Sequence, residues 1–206
     1  MSDSGTIGLV GAFHGRLVQK RRVPVLSRSL TALLPAAASL LDVGCGDGTI
    51  AKTIEESVPG MSVSGAEFLP RADCAVQCLG FDGVHLPYPD QSFDGCMFVD
   101  VLHHSRDALA ILRETARVSR DFILIKDHLA ETRFDHRTLR FMDWAGNREH
   151  AAELPYNYFS SRDWQELYRA AGLREVKVNR NIPLYPAPIS WVFGGKLHFI
   201  ALLREL

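Results

Sequence analysis

Leu40-Leu41-Asp42-Val43-Gly44-Cys45-Gly46-Asp47-Gly48-Thr49-Ile50-Ala51 joins an apolar run ending in an acid to a Gly-x-Gly-x-Gly turn and the start of a helical pattern. It reads as a buried strand, a glycine-dependent turn and a helix N-terminus. Glycine is needed where the backbone takes positive φ or lies against a ligand. The first amides of the helix then face whatever is bound there. The strand falls near Ser39–Val43. The helix carries Ile50, Ile54 and Val58 as an apolar stripe and stops at Pro59-Gly60.

The same rhythm continues outward. Met61–Ala66 reads as a strand stopping at Glu67, and Arg71–Leu79 as a helix leading to a short strand before Asp82. Phe93–Val99 reads as the next strand. Ala108, Leu109, Leu112, Ala116 and Val118 suit a helix, and Phe122-Ile123-Leu124-Ile125 is a strand covered on both faces. A helical pattern over Phe13–Leu34, interrupted near Pro24, precedes this core. Residues 128–159 give no clean period. Ser160-Ser161-Arg162-Asp163 looks like a helix N-cap, with Gly172 as the stop. Glu175–Arg180 and His198–Leu203 close the chain as two strands antiparallel to each other. The fold class expected is α/β, a doubly wound, mostly parallel seven-stranded sheet with an antiparallel C-terminal strand.

Open α/β sheets bind ligands at the carboxyl ends of their strands. Those ends offer the Gly44/Gly46/Gly48 turn, then Glu67, then Asp82-Gly83. A carboxylate at Glu67 can accept from both hydroxyls of a ribose, and one at Asp82 from an exocyclic amine. Gly83 would let a base lie close to the backbone. A dinucleotide fingerprint, Gly-x-Gly-x-x-Gly, does not fit: its third glycine falls on Thr49. Asp42 and Asp47 would also repel a pyrophosphate.

The glycine turn, the two acids, Leu86-Pro87-Tyr88-Pro89-Asp90-Gln91-Ser92-Phe93-Asp94 and Val101-Leu102-His103-His104 together resemble the class I S-adenosylmethionine (SAM) methyltransferases, in their small-molecule branch. The resemblance covers residues 38–127 and implies a Rossmann-like methyltransferase fold with SAM as cofactor. By that resemblance Asp42, Gly44, Cys45 and Gly46 surround the methionine part. Glu67 takes the ribose hydroxyls, Phe68 lies against the adenine, and Asp82 and Gly83 meet its amine. Val99 begins the segment that passes the sulfonium. Val118-Ser119-Arg120-Asp121 stands where such chains often carry Pro-Gly-Gly. The implied division is one domain over residues 1–206: a helical segment (1–37), the SAM-binding core (38–127), an acceptor cap (128–159), and a C-terminal helix and strand pair (160–206).

Candidate general bases follow the fourth and fifth strands: His103 and His104, then Asp127 and His128. Neighbours on an extended strand point to opposite faces, which sets Asp127 and His128 apart. Each histidine has a bland reading as well, packing beneath the cofactor or capping the next helix. No ligand-spacing motif supports a metal site. Phe134–Phe159, with Phe141, Met142, Trp144, Tyr156, Tyr158, Phe159, His136 and His150, is the expected acceptor cap. The function expected is methyl transfer to a small organic acceptor. The alternatives are a protein or nucleic-acid methyltransferase and a non-catalytic SAM-binding partner.

Net charge is -1, so no global charge points to nucleic acid. Arg16, Lys20, Arg21, Arg22 and Arg28 form a run without an acid, either a solvated helix face or a peripheral contact with a membrane surface. Cys45, Cys74, Cys78 and Cys96 contain no Cys-x-x-Cys pair, so a reducing, cytoplasmic setting is expected. Residues 1–15 lack a basic stretch followed by an apolar core, and no apolar run reaches membrane-spanning length.

Overall fold

A computed structural model describes residues 21–146, 155–185, 190–194 and 196–206. Among them, residues 21–31 are helical (α1), and the remaining elements follow in order. They are β1 (Ser39–Val43), α2 (Thr49–Ser57), β2 (Ser62–Glu67), β3 (Cys78–Gly80), β4 (Phe93–Val99), a 3-10 turn (Leu102–His104), α3 (Ala108–Val118) and β5 (Ser119–His128). Then come α4 (Arg133–Gly146), α5 (Ser161–Ala170), β6 (Leu173–Asn179), α6 (Ser190–Phe193) and β7 (His198–Glu205). The strands form one seven-stranded sheet in the order β3-β2-β1-β4-β5-β7-β6. β1 pairs in parallel with both β2 and β4, and β4 in parallel with β5. β7 enters antiparallel between β5 and β6.

Alternation along the strands builds two cores. Leu41, Val43, Cys96, Phe98, Ile123 and Ile125 face one side, where Ile111 and Leu112 of α3 and Trp164 and Tyr168 of α5 cover them. Leu40, Met97, Phe122 and Leu124 face the other, beneath Leu26 and Leu30 of α1 and Ala51 and Ile54 of α2. Helices on both faces explain why β1, β4 and β5 lack a polar side.

The differences from the sequence reading have local causes. No helix forms over 71–79. That segment is drawn against the glycine turn, where the Ala75 amide donates to Asp47 O at 2.9 Å. The helix at 21–31 passes through Pro24 without interruption, while Phe13–Lys20 lies outside the described residues. Residues 133–146 are helical, not irregular. At Val118-Ser119-Arg120-Asp121, where similar chains often carry Pro-Gly-Gly, α3 passes straight into β5 through Ser119 in extended geometry, so the turn needs no glycine.

The N-cap read at Ser160 is present, and it forms a full capping box. Its hydroxyl accepts from the Asp163 amide at 3.2 Å, and the Asp163 carboxylate accepts from the Ser160 amide at 2.8 Å. Ser160→Ala is expected to lower unfolding free energy by about 1 kcal/mol in urea titration, with the fold retained by circular dichroism.

Candidate active site

The carboxyl ends of β1, β2 and β3 form the first half of the site. Gly44, Gly46 and Gly48 all take positive φ, at 77°, 59° and 73°. A Cβ on Gly44 would also lie 2.6 Å from a methyl of Val101, so the turn can carry no side chain there. The Gly44 amide donates to Ala66 O at 2.7 Å, which ties the turn to the neighbouring strand. Glu67 closes it: one carboxylate oxygen accepts from the Gly46 amide at 2.8 Å and the other from the Phe68 amide at 2.8 Å. Asp42 lies beneath, buried, with Oδ1 lacking a hydrogen-bond partner among the described residues. Burial, then the charge of Glu67, pushes its carboxyl up to about 8. An unpartnered buried acid favours a cation or a proton beside it.

Asp82 sits in the turn after β3. Its Oδ1 accepts from the Val84 and His85 amides at 2.8 and 2.6 Å, and its Oδ2 accepts from His85 Nδ1 at 2.7 Å. The His85 contact, then the two amides, hold it down to about 2. Gly83 has φ 94°, and a Cβ there would touch the Phe68 ring at 3.7 Å. Phe68 is 59% exposed. Val99 ends β4 opposite Lys126 of β5.

The ends of β4 and β5 form the second half, and they bring together all four candidate bases. Asp127 accepts from His103 Nδ1 at 2.6 Å, the Leu102 amide at 3.1 Å and the His128 amide at 2.7 Å. His128 Nδ1 lies 3.5 Å from Asp127, so the two neighbours are not set apart as strand alternation suggested. The His104 ring centre lies 3.8 Å from that of His103. Because a carboxylate only accepts, Nδ1 of His103 carries the proton, and Nε2 holds the lone pair when the ring is neutral. That Nε2 is buried without a hydrogen-bond partner among the described residues, 3.8 Å from Asp143 Oδ2 on α4.

Charge decides the protonation. Burial works against a charged His103, but the charge and hydrogen bond of Asp127 outweigh it and raise its pKa. Burial and then His103 push His104 down to about 4. Burial also opposes a charged Asp127, and His103 overcomes it, holding the carboxyl well below the usual range.

Several residues here were not anticipated. Asp100 has φ 59° one residue past β4. Its carboxylate pairs with Lys126 Nζ and, at 2.6 Å, with Arg22 of α1. Burial disfavours its charge, yet Lys126, His128 and Arg22 hold it well below its ordinary value. Asp143 accepts from the Tyr158 hydroxyl. His198 of β7 approaches Lys126 Nζ at 3.5 Å. Asp100 was findable, since it follows a strand whose end was already under inspection. Arg22 corrects the surface-patch expectation: it turns inward to an acid. Arg21 donates to Leu184 O at 3.3 Å, while Arg16 and Lys20 lie outside the described residues.

The expected cap is partly realised. The Asn157 amide donates to His103 O at 2.9 Å, and Tyr158 stacks over His103 at 5.9 Å. Tyr156 lies 5.8 Å from His104. Phe159 instead packs on Trp164 at 5.0 Å. His150 and the side chain of Trp144 lie outside the described residues.

A family model described as a methyltransferase domain matches residues 18–178. The chain belongs to the class I SAM-dependent methyltransferases. This methyltransferase chain is 33% identical over 122 residues to a 27-O-demethylrifamycin SV methyltransferase of Amycolatopsis mediterranei (strain S699). The match covers 48% of this chain and 45% of that protein, so the chain spans less than half of that relative's length. Among solved structures, a Haloferax volcanii methyltransferase in complex with the activator Trm112 aligns with a TM-score of 0.71 at 13% identity, covering 100% and 99% of the two chains. The Burkholderia thailandensis 1,6-didemethyltoxoflavin-N1-methyltransferase, solved with 1,6-didemethyltoxoflavin and S-adenosylhomocysteine, aligns with 0.66 at 20% identity, covering 97% and 86%. At such identities the structural likeness establishes the fold alone.

Removing the Asp127 carboxylate leaves two amides and an imidazole N–H without their acceptor, each worth roughly 1–3 kcal/mol. Asp127→Ala is therefore expected to lower unfolding free energy by at least about 3 kcal/mol in urea titration at pH 7. The lowered folded-state pKa means this stability is present above the unfolded value near 4 and is lost as pH falls further. The gap between the two proteins should narrow below about pH 4.

Proposed function

We propose that the protein transfers the methyl group of SAM to a small organic acceptor by in-line displacement, with His103 as general base where the acceptor's nucleophile carries a proton. The observation that supports this is one juxtaposition: the buried His103–Asp127 pair lies at the ends of β4 and β5, beside the glycine turn that ends β1. SAM, when bound, supplies a methyl group on a positively charged sulfur.

The residues present fit such a cofactor. The unpartnered, buried Asp42 suits the ammonium of the methionine part, and the backbone at Gly44 and Gly46, free of side chains on either side of Cys45, suits its close approach. Glu67 would exchange its loop amides for ribose hydroxyls. Phe68 and Gly83 would flank the adenine, with Asp82 toward its amine and Val99 nearer the reacting end. On the acceptor side, His103 Nε2 would take the proton while Asp127 keeps the ring oriented and stabilises its charge. His104 and His128 line the same centre, with Tyr156, Tyr158 and Asp143 as roof. The aromatic and imidazole lining suits a small, partly apolar molecule. Similarity to a methyltransferase of 27-O-demethylrifamycin SV points the same way.

Incubating the protein with labelled SAM and a metabolite extract of the source organism tests the reading. Label in a small molecule supports it. Label confined to protein or nucleic acid supports the macromolecular alternative, and tight SAM binding with no transfer supports the non-catalytic one. With an acceptor in hand, kcat/KM should rise with pH through a midpoint above 6.5, because the neutral imidazole is the active form and its pKa is raised. Asp127→Asn should lower that midpoint, since the largest group opposing burial is then gone and the weaker pull of Asp100 and Asp143 is left. His103→Gln should lower kcat/KM by roughly 10²- to 10⁴-fold. A midpoint unmoved by Asp127→Asn would remove His103 as the base.

A further inference from the structure

Three of the four cysteines converge under the glycine turn. Cys45 belongs to the turn itself, Cys74 to the β2–β3 connection, and Cys78 opens β3. Cys45 Sγ lies 4.0 Å from Cys74 Sγ and 3.5 Å from Cys78 Sγ, and all three sulfurs fall within 4.8 Å of one another. Each is partly exposed, whereas Cys96 is buried. Two glycines make the room. A Cβ on Gly65 would stand 2.5 Å from Cys45 Sγ, and one on Gly48 would stand 2.8 Å from Cys74 Sγ. The thiols have few other partners: one another, and Leu79 O at 3.8 Å from Cys78 Sγ.

The spacing selects among the chemistries open to three thiols. Around an ion with metal–sulfur bonds near 2.3 Å, tetrahedral sulfurs lie about 3.8 Å apart. The observed separations of 3.5 and 4.0 Å straddle that value. A disulfide needs about 2.05 Å, so Cys45 and Cys78 would have to close by about 1.5 Å.

We propose that Cys45, Cys74 and Cys78 form a tris-thiolate site for one thiophilic cation, Zn²⁺ or Cu⁺, with a Zn²⁺ ion leaving its fourth position to solvent. Thiolates are the ligating form, so uptake releases protons and tightens with rising pH. An occupied site ties the glycine turn to the β2–β3 connection and to β3, fixing the edge of the sheet from which Glu67 projects. The site is independent of whether methyl transfer occurs, and its test reads metal rather than activity.

The full chain, reduced and stripped with chelator, is titrated with Zn²⁺, with Cu⁺, and with Co²⁺ as a coloured stand-in for Zn²⁺. The expected result is one Zn²⁺ or Cu⁺ retained per chain after dialysis, a thiolate-to-Co²⁺ charge-transfer band, and protection of three thiols from alkylation. Cys74→Ser and Cys78→Ser should each lose the ion, and His103→Gln should keep it. No retained ion in the reduced wild type overturns the proposal. So does an ion that survives in the Cys74→Ser/Cys78→Ser double variant or disappears in His103→Gln, either of which places it among the imidazoles. A Cys45–Cys78 disulfide forming in air, with no ion bound after reduction, replaces the metal site with a redox pair. Should a serine variant fail to fold by circular dichroism, thiol protection in the wild type decides.

Discussion

The left-handed backbone between β1 and α2 is the constraint from which the site is arranged. With Gly44 packed against Val101, the turn brings the ends of β1 and β4 into contact. With Gly44 bonded to Ala66 and Gly46 bonded to Glu67, it fixes the end of β2 as well. A side chain at Gly44 would have to enter the space of Val101 while holding a positive φ, so the three strand ends would separate. The Asp42 carboxyl, buried below the turn and pushed up to about 8, holds its proton unless a cation completes it, because a buried charge without a partner costs far more than one in water. The turn therefore specifies both a shape and a charge preference.

Beyond that turn, the polar interior follows a different logic. Asp127 and Asp100 each collect several donors in a region that the strand-end geometry removes from solvent. Asp127 gathers a histidine and two amides; Asp100 gathers Lys126 and Arg22. Buried pairs of this kind contribute little net stability but are costly to break, which favours one arrangement of the surrounding elements. Arg22 links α1 to the end of β4, and Tyr158 and Asp143 link the cap to the His103 ring. α4 is thus attached through groups that would handle the acceptor, and α1 through the neighbouring Asp100.

The legible parts of the sequence were those governed by short-range rules. Strand β4 at Phe93–Val99, the N-cap at Ser160 and the stop at Gly172 depend on a few neighbouring residues, and each stands where it was read. Four candidate bases were placed together because strand ends converge in this architecture. Long-range effects were not legible. The segment around Cys74 has helical spacing, but the Ala75 amide is taken by Asp47 in the turn that begins 30 residues before Cys74. α4 was hidden because its aromatics do not mark a buried stripe: Phe134 and Phe141 are exposed, and Leu139 is buried beside Thr138. Arg22 read as surface because its partner, Asp100, is 78 positions away. Nothing in the spacing of Cys45, Cys74 and Cys78 announced that their sulfurs meet.

The central claim is that the turn and the two acids after β2 and β3 constitute the SAM site, and calorimetric titration with SAM tests it most directly. Saturable one-to-one binding is expected of the wild-type chain, weakened at least roughly a hundredfold in Glu67→Ala, since two hydrogen bonds to a charged acceptor at about 1.5–3 kcal/mol each would be lost. Undiminished SAM affinity in a correctly folded Glu67→Ala protein, or no binding by the wild type, would contradict it.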